Sequence, residues 1–177
     1  MNSDNKLGIA GGFIYNIING REVPAFVNPR NVGGPLQTYR RACLKEIGGF
    51  FPNAPHEDTV GLIMARMKGW STRSYADLEV LHHKTATWHG PRRLKAKYKL
   101  GICDYIMGST AIWEALRCLK EIPESPPFIG SLLRMVAYCL APLHATKVLS
   151  PEVLRYVRRE QYGTLRTEIL GRLHAKH

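Results

Sequence analysis

Apolar residues run from Leu7 to Ile18 with only glycines, Tyr15 and Asn16 between them, which reads as a strand. Asn19-Gly20 follows, and both residue types tolerate the positive φ of a two-residue hairpin turn. Arg21 to Val27 returns as a second strand, where Pro24 marks a sheet edge or a bulge. After a loop at Asn28–Asn31 and a turn at Gly33-Gly34-Pro35, Tyr39 to Ile47 reads as a short helix. Ala42, Leu44 and Ile47 are its inward positions, and Gly48 stops it. Val60, Ile63, Met64 and Met67 recur at helical spacing and predict a helix from about Asp58 to Lys68, ended by Gly69. Trp70–Tyr75 and Leu78–His82 read as two short strands around Ala76-Asp77.

Past Lys84 the periodicity becomes helical. A helix is expected from about Arg92 to Met107, entered through a Thr87–Pro91 loop. A second spans Thr110–Lys120 with Ile112, Trp113, Leu116 and Leu119 as its apolar face. Phe128 to Leu140 is a strongly apolar helix, either buried in the core or lying in a membrane interface with Arg134 snorkelling. Ser150-Pro151-Glu152 opens a last helix whose outer face carries Arg155, Arg158, Arg159, Arg166 and Arg172. The chain therefore divides into an α/β part, residues 1–84, and a basic helical part, residues 85–177.

Charge adds an anionic partner to this picture. The 177 residues hold 25 Lys and Arg against 14 Asp and Glu, a balance of +11 that favours phosphates or an acidic membrane surface. Nucleic acid is not expected, since no helix-turn-helix, zinc-finger or RNP-type pattern accompanies the charge. Cys43, Cys103, Cys118 and Cys139 show no CxxC pair or metal-ligand spacing, so they read as reduced thiols. The first residues lack an apolar signal region, and the longest apolar stretch, the 16 residues Phe128–Leu143, falls short of the roughly 20 that cross a bilayer. A cytoplasmic protein, peripheral on the inner face of the plasma membrane, is expected.

Candidate chemistry centres on Gly48-Gly49-Phe50-Phe51-Pro52-Asn53-Ala54-Pro55-His56-Glu57-Asp58-Thr59. A broken backbone, an acidic pair and then a helix would hold a carboxylate at a fixed point. Acids at a helix start also cap free N–H groups, and the local pattern leaves both readings open. His82-His83 stands at a strand end, where it would reach a metal or a phosphate, or be an ordinary polar terminus. Lys84, Arg92, Arg93, Lys95, Lys97 and Lys99 alternate with Trp88 and Tyr98, which suits headgroups, phosphate or plain solvation.

The order Gly33-Gly34-Pro35, Tyr39-Arg40-Arg41, Ile47-Gly48-Gly49-Phe50, His56-Glu57-Asp58, Arg66, Gly69-Trp70, Val80-Leu81-His82 resembles the acceptor half of family 2 glycosyltransferases, over about residues 7 to 84. Gly108, Trp113–Leu119, Pro126-Pro127 and Arg158-Arg159-Glu160-Gln161 are similar to the C-terminal region of bacterial members that build extracellular or capsular polysaccharides. The resemblance implies a partial GT-A-like mixed sheet with flanking helices, followed by a helical C-terminal region. It implies an inverting transfer from a nucleotide-diphosphate sugar to a glycan or lipid-linked acceptor, with Asp58 as general base and Glu57 beside it orienting the site. It also implies Gly33 and Gly34 under the donor sugar, donor or acceptor contacts from Arg40, Arg41, His56 and Trp70, and His82 at a Mg²⁺ or Mn²⁺ ion or the pyrophosphate.

Members of that family carry an N-terminal nucleotide-binding half ending in Asp-x-Asp, and no Asp-x-Asp occurs in this sequence. The expectation is a chain lacking most of the donor site, with little or no transferase activity by itself. Its open sheet edge would meet a separate N-terminal half or a second copy. The competing reading is a non-catalytic basic module on a membrane surface or an acidic polymer, in which Glu57 and Asp58 only cap a helix.

Overall fold

A computed structural model describes residues 4–18, 20–52, 54–83, 91–123 and 127–174. The hairpin residue Asn19, the basic-aromatic stretch 84–90 with Trp88, and Pro126 lie outside them. Chain contacts divide the protein into two compact units, Met1–Thr87 and Trp88–His177.

The first unit is α/β. Strand β1 (Leu7–Ile18) is the centre of a four-stranded mixed sheet. On one side it pairs antiparallel with β2 (Arg21–Phe26) through its second half and with β3 (Thr38–Tyr39) at Ile9-Ala10. On the other it pairs parallel with β4 (Ser71–His82) along most of its length. β1 is bonded along both edges, and Leu7, Ile9 and Ile14 are its buried apolar side chains. Gly20 takes φ +74° in the β1–β2 turn, and Pro24 sits on the edge strand beside a register shift at Ile14/Tyr15, as its missing N–H requires.

Helices α1 (Arg41–Glu46) and α2 (Glu57–Met67) pack on this sheet. Ile9, Val32, Cys43, Ile47, Leu62 and Ala65 close the core, with Tyr39, Leu44, Phe51, Met64 and Trp70 against it. Three expectations change here. Tyr39 belongs to a strand rather than a helix, because its backbone pairs with Ile9. Ala42 is exposed and its neighbour Cys43 is buried instead. The two short strands are one strand: Ala76–Leu78 loops out of register between Tyr75 and Glu79 while the backbone stays extended. The Leu78 carbonyl there lies over Gly12, where a side chain would collide with it.

The second unit is helical: α3 (Pro91–Ile106), α4 (Ala111–Lys120), α5 (Ile129–Leu140) and α6 (Pro151–His174). Thr110 caps α4 by accepting from the Trp113 amide at 3.3 Å, and Ser150 caps α6 by accepting from Val153 at 3.4 Å. Helices α3 and α5 approach so closely that a Cβ on Gly101 would stand 2.2 Å from the Arg134 carbonyl oxygen. Only glycine fits there.

The interior of this unit reverses two expectations. The apolar face of α4 points outward, with Ile112, Leu116 and Leu119 exposed and Glu114 and Cys118 buried. Arg134 does not snorkel: it is 3% exposed. Its Nε donates to Glu114 at 2.7 Å, and its two terminal nitrogens donate to Glu121 and Asp104. Arg117 donates to Asp104 at 2.8 Å and Lys97 to Glu121 at 2.6 Å, so three cations and three carboxylates form one closed network. Burial alone would work against the charge on Arg134, but the carboxylates more than offset it and hold the guanidinium protonated.

Candidate functional site

The chain from Gly33 to Tyr39 folds back over the start of α2. Gly33 is extended, and Gly34–Leu36 makes a single 3-10 turn closed by the Leu36 amide donating to the Gly33 carbonyl at 2.9 Å. The Gln37 side-chain amide then donates to the Val32 carbonyl at 3.1 Å and the Asp58 carbonyl at 3.2 Å, tying the turn to the first turn of α2. Tyr39 donates its hydroxyl to the Gln37 side-chain oxygen at 2.6 Å and lies against Gly61 of α2. Burial raises the Tyr39 pKa, and the charges of Asp58, Cys43 and Glu57 raise it further, so the phenol remains a proton donor.

These contacts enclose a pocket of about 190 Å³ lined by Gly34, Gln37, Tyr39, Phe50, Phe51, Glu57 and Asp58. Phe50 is 69% exposed and meets Tyr39 edge-on at 5.4 Å, giving the mouth an apolar wall. Asp58 is half-buried and Glu57 exposed. Asp58 Oδ1 accepts from the Thr59 amide at 2.8 Å. Oδ2 faces Gly34, where a Cβ would stand 2.6 Å away. One carboxylate oxygen is therefore held by the backbone and the other lies against Gly34, with both residues lining the pocket.

Gly34→Ala is accordingly expected to displace the Asp58 side chain and leave the fold intact. A misplacement near 1 Å costs about a hundredfold in a positioned reaction. Comparing the Thr59 amide chemical shift and the unfolding midpoint of the two proteins checks this, and a variant with an unmoved Thr59 shift would count against the arrangement.

The other sequence-derived candidates stand elsewhere. His56 precedes α2 as its backbone cap at φ 55°, ψ 54°, with its side chain exposed. Gly33 is buried beside the turn. Arg40 donates to the carbonyls of Leu7 at 2.8 Å and Asp4 at 2.7 Å, latching the start of β1. Arg41 is exposed at the start of α1. Trp70 packs on Gly8 and donates to Glu46 at 2.8 Å. His82 lies 3.0 Å from Asn16 Oδ1, seven β1 residues beyond the Ile9–Tyr39 pair, about 23 Å along the strand. Among the described residues no cluster of three His, Cys, Asp or Glu is arranged to hold a metal, and His82 has an amide rather than a carboxylate beside it. These residues do not fit a metal centre. Burial, with Glu46 adding to it, pushes the Cys43 thiol up to about 11, which leaves it inert as a nucleophile.

Gln37 is the residue sequence reasoning missed. Its signal was slight: one amide side chain between a glycine turn and an aromatic. Tyr39, Phe50 and Phe51 are visible in the sequence as motif residues, yet their role as pocket walls depends on how the turn folds back.

No protein-family model matches the chain, and no curated protein matches it. Among solved structures, the mannosyltransferase PcManGT from Pyrobaculum calidifontis, in complex with GDP-Man and Mn²⁺, is similar at 12% identity and a TM-score of 0.41. The match covers 97% of this chain and 48% of that one, so this chain spans about half the length of that protein. At that score the likeness carries no functional argument.

Proposed function

We propose that the first unit is the acceptor side of an inverting glycosyltransferase of the GT-A type, with Asp58 as its general base. The observation that supports this most directly is the division of labour at Asp58. Oδ1 is held by the Thr59 amide, and Oδ2 lies against Gly34 in the lining of a small pocket with aromatic and amide walls. That is what removing a proton from a sugar hydroxyl needs: a carboxylate oxygen within hydrogen-bond reach, on a backbone that does not move. The helix dipole of α2 favours the anion at that place.

The hydroxyl proton passes to Asp58 Oδ2 as the acceptor oxygen bonds to the anomeric carbon of the donor. The bond from that carbon to the nucleotide diphosphate breaks on the opposite face, and its electron pair leaves with the diphosphate. Tyr39 and Phe50 offer apolar edges to the ring, and Glu57 at the rim orients the acceptor. The donor's diphosphate, and the divalent metal that the sequence resemblance implies, would be held by groups other than the described residues of this unit, and no step runs through them.

The test is acceptor binding by the 177-residue chain. Titration with a panel of methyl glycosides and disaccharides, followed by amide chemical shifts, is expected to move Gly34, Gln37 and Thr59 together with millimolar affinity. Shifts confined to other surfaces, or none, would overturn the acceptor reading.

A further inference from the structure

Helices α4 and α5 turn much of their apolar side outward. On α5 the buried residues are Gly130, Ser131, Arg134 and Ala137, small residues around one cation, while Ile129, Leu132, Val136 and Leu140 face outward. On α4 the same inversion leaves Ile112, Leu116 and Leu119 outside and Glu114 fully buried. Small-residue contact at Gly101 and the Arg134 network help hold the helices, beside the buried apolar side chains of Met107, Val153 and Val157. Phe128, the residue that opens α5, holds a left-handed φ of 60° rare for its type and presents its ring 68% exposed.

We infer that the outward face of α4 and α5 seats on an anionic lipid bilayer, with its apolar side chains at the boundary between headgroups and acyl chains. Helix α5 has 12 residues, about 18 Å, so it would lie in the interface plane rather than cross roughly 30 Å of hydrocarbon. Among the described residues no helix is long and apolar enough to cross a membrane.

Charge selects the occupant. The unit holds 15 Lys and Arg against 7 Asp and Glu, a balance of +8 within the chain's +11. Asp104, Glu114 and Glu121 pair with Lys97, Arg117 and Arg134 in the interior network, so the +8 is carried by the unit's other side chains. Arg155, Arg158, Arg159 and Arg166 line an open recess of about 540 Å³ on α6. A unit with an exposed apolar helix face and a net charge of +8 matches phospholipid of net negative charge better than a second copy of the same basic chain. This inference is independent of the transferase reading.

The experiment is flotation of the full chain with vesicles of phosphatidylglycerol and phosphatidylcholine against phosphatidylcholine alone. Binding to the anionic vesicles is expected, with a part that survives high salt. Leu132→Glu and Ile129→Glu are each expected to lower it about tenfold or more, and Leu132→Met to preserve it. Both positions are more than half exposed, so circular dichroism of the variants should match the parent. No binding would overturn the inference. So would binding that vanishes at high salt and ignores Leu132→Glu, since that is arginine attraction alone. A dimer that Leu132→Glu dissociates, without vesicle binding, would also overturn it and assign the face to a second copy.

Discussion

Arg134→Met is expected to destabilise the second unit by about 3–5 kcal/mol, the cost of stripping a buried carboxylate of its cation. The three partners of Arg134 are not equally affected. Asp104 retains Arg117 and Glu121 retains Lys97, whereas among the described residues the only cation bonded to Glu114 is Arg134. The damage therefore concentrates at Glu114, whose second oxygen is already buried without a hydrogen bond. Arg134→Met combined with Glu114→Leu should recover most of the loss, because it replaces a buried pair by apolar volume.

Acidity gives a second readout. Burial raises the Glu114 pKa above its ordinary 4.5, Asp104 adds to this, and Arg134 and Arg117 oppose it. Removing Arg134 deletes part of the opposition, so the pKa rises further. A group raised on folding stabilises the fold below its unfolded pKa and loses that contribution as pH rises through the folded value. The single variant should thus be most stable in acid and weaken toward neutrality. Glu121 has the opposite sign. Burial raises its pKa, but Lys97 and Arg134 prevail and lower it, so its contribution is present at neutral pH and lost in acid. Urea unfolding followed by amide exchange in α3, α4 and α5 across pH checks both. A double variant no better than the single one would show that Glu114 is not where the cost falls.

Asp58→Asn is expected to lower transfer by about 10²–10⁴-fold in whatever assembly is competent for it, because an amide has no basic oxygen to take the proton. Stability should change by less than about 1 kcal/mol, since asparagine keeps an oxygen for the Thr59 amide and forfeits only the dipole term. Glu57→Gln serves as the comparison: Glu57 lines the same pocket but is exposed, and its loss should be smaller. Rates measured alongside acceptor affinity separate the two roles. Equal losses in both variants would remove the distinction between base and orienting residue.

Much of the first unit was legible because its signals are local. A long apolar run, a two-residue turn and acids before a helical period each depend on neighbours in sequence, and β1, β2 and α2 follow from them. The pocket was half legible. Asp58 stands out at the helix start, but Gln37 acts through the Asp58 carbonyl, 21 residues away, and no pattern announces that. His82 looked close in the order of motifs, and only the sheet register shows the length of β1 between its partner Asn16 and the pocket's Tyr39.

In the second unit periodicity showed which residues of α4 share a face, but not which way the face turns. That is decided by Arg134, which needs carboxylates from α3, from α4 and from the turn after α4, and draws the polar side inward.

The same network fixes how the second unit can assemble. Its bonds to Arg134 span 13, 20 and 30 residues and join α3, α4 and the turn after it, and α5. Docking α4 and its following turn on α5 already sets Arg117 and Arg134 against Glu114 and Glu121, and α3 then adds Asp104 and Lys97, one charge of each sign. Once formed, the three helices share one opening event rather than fraying in turn.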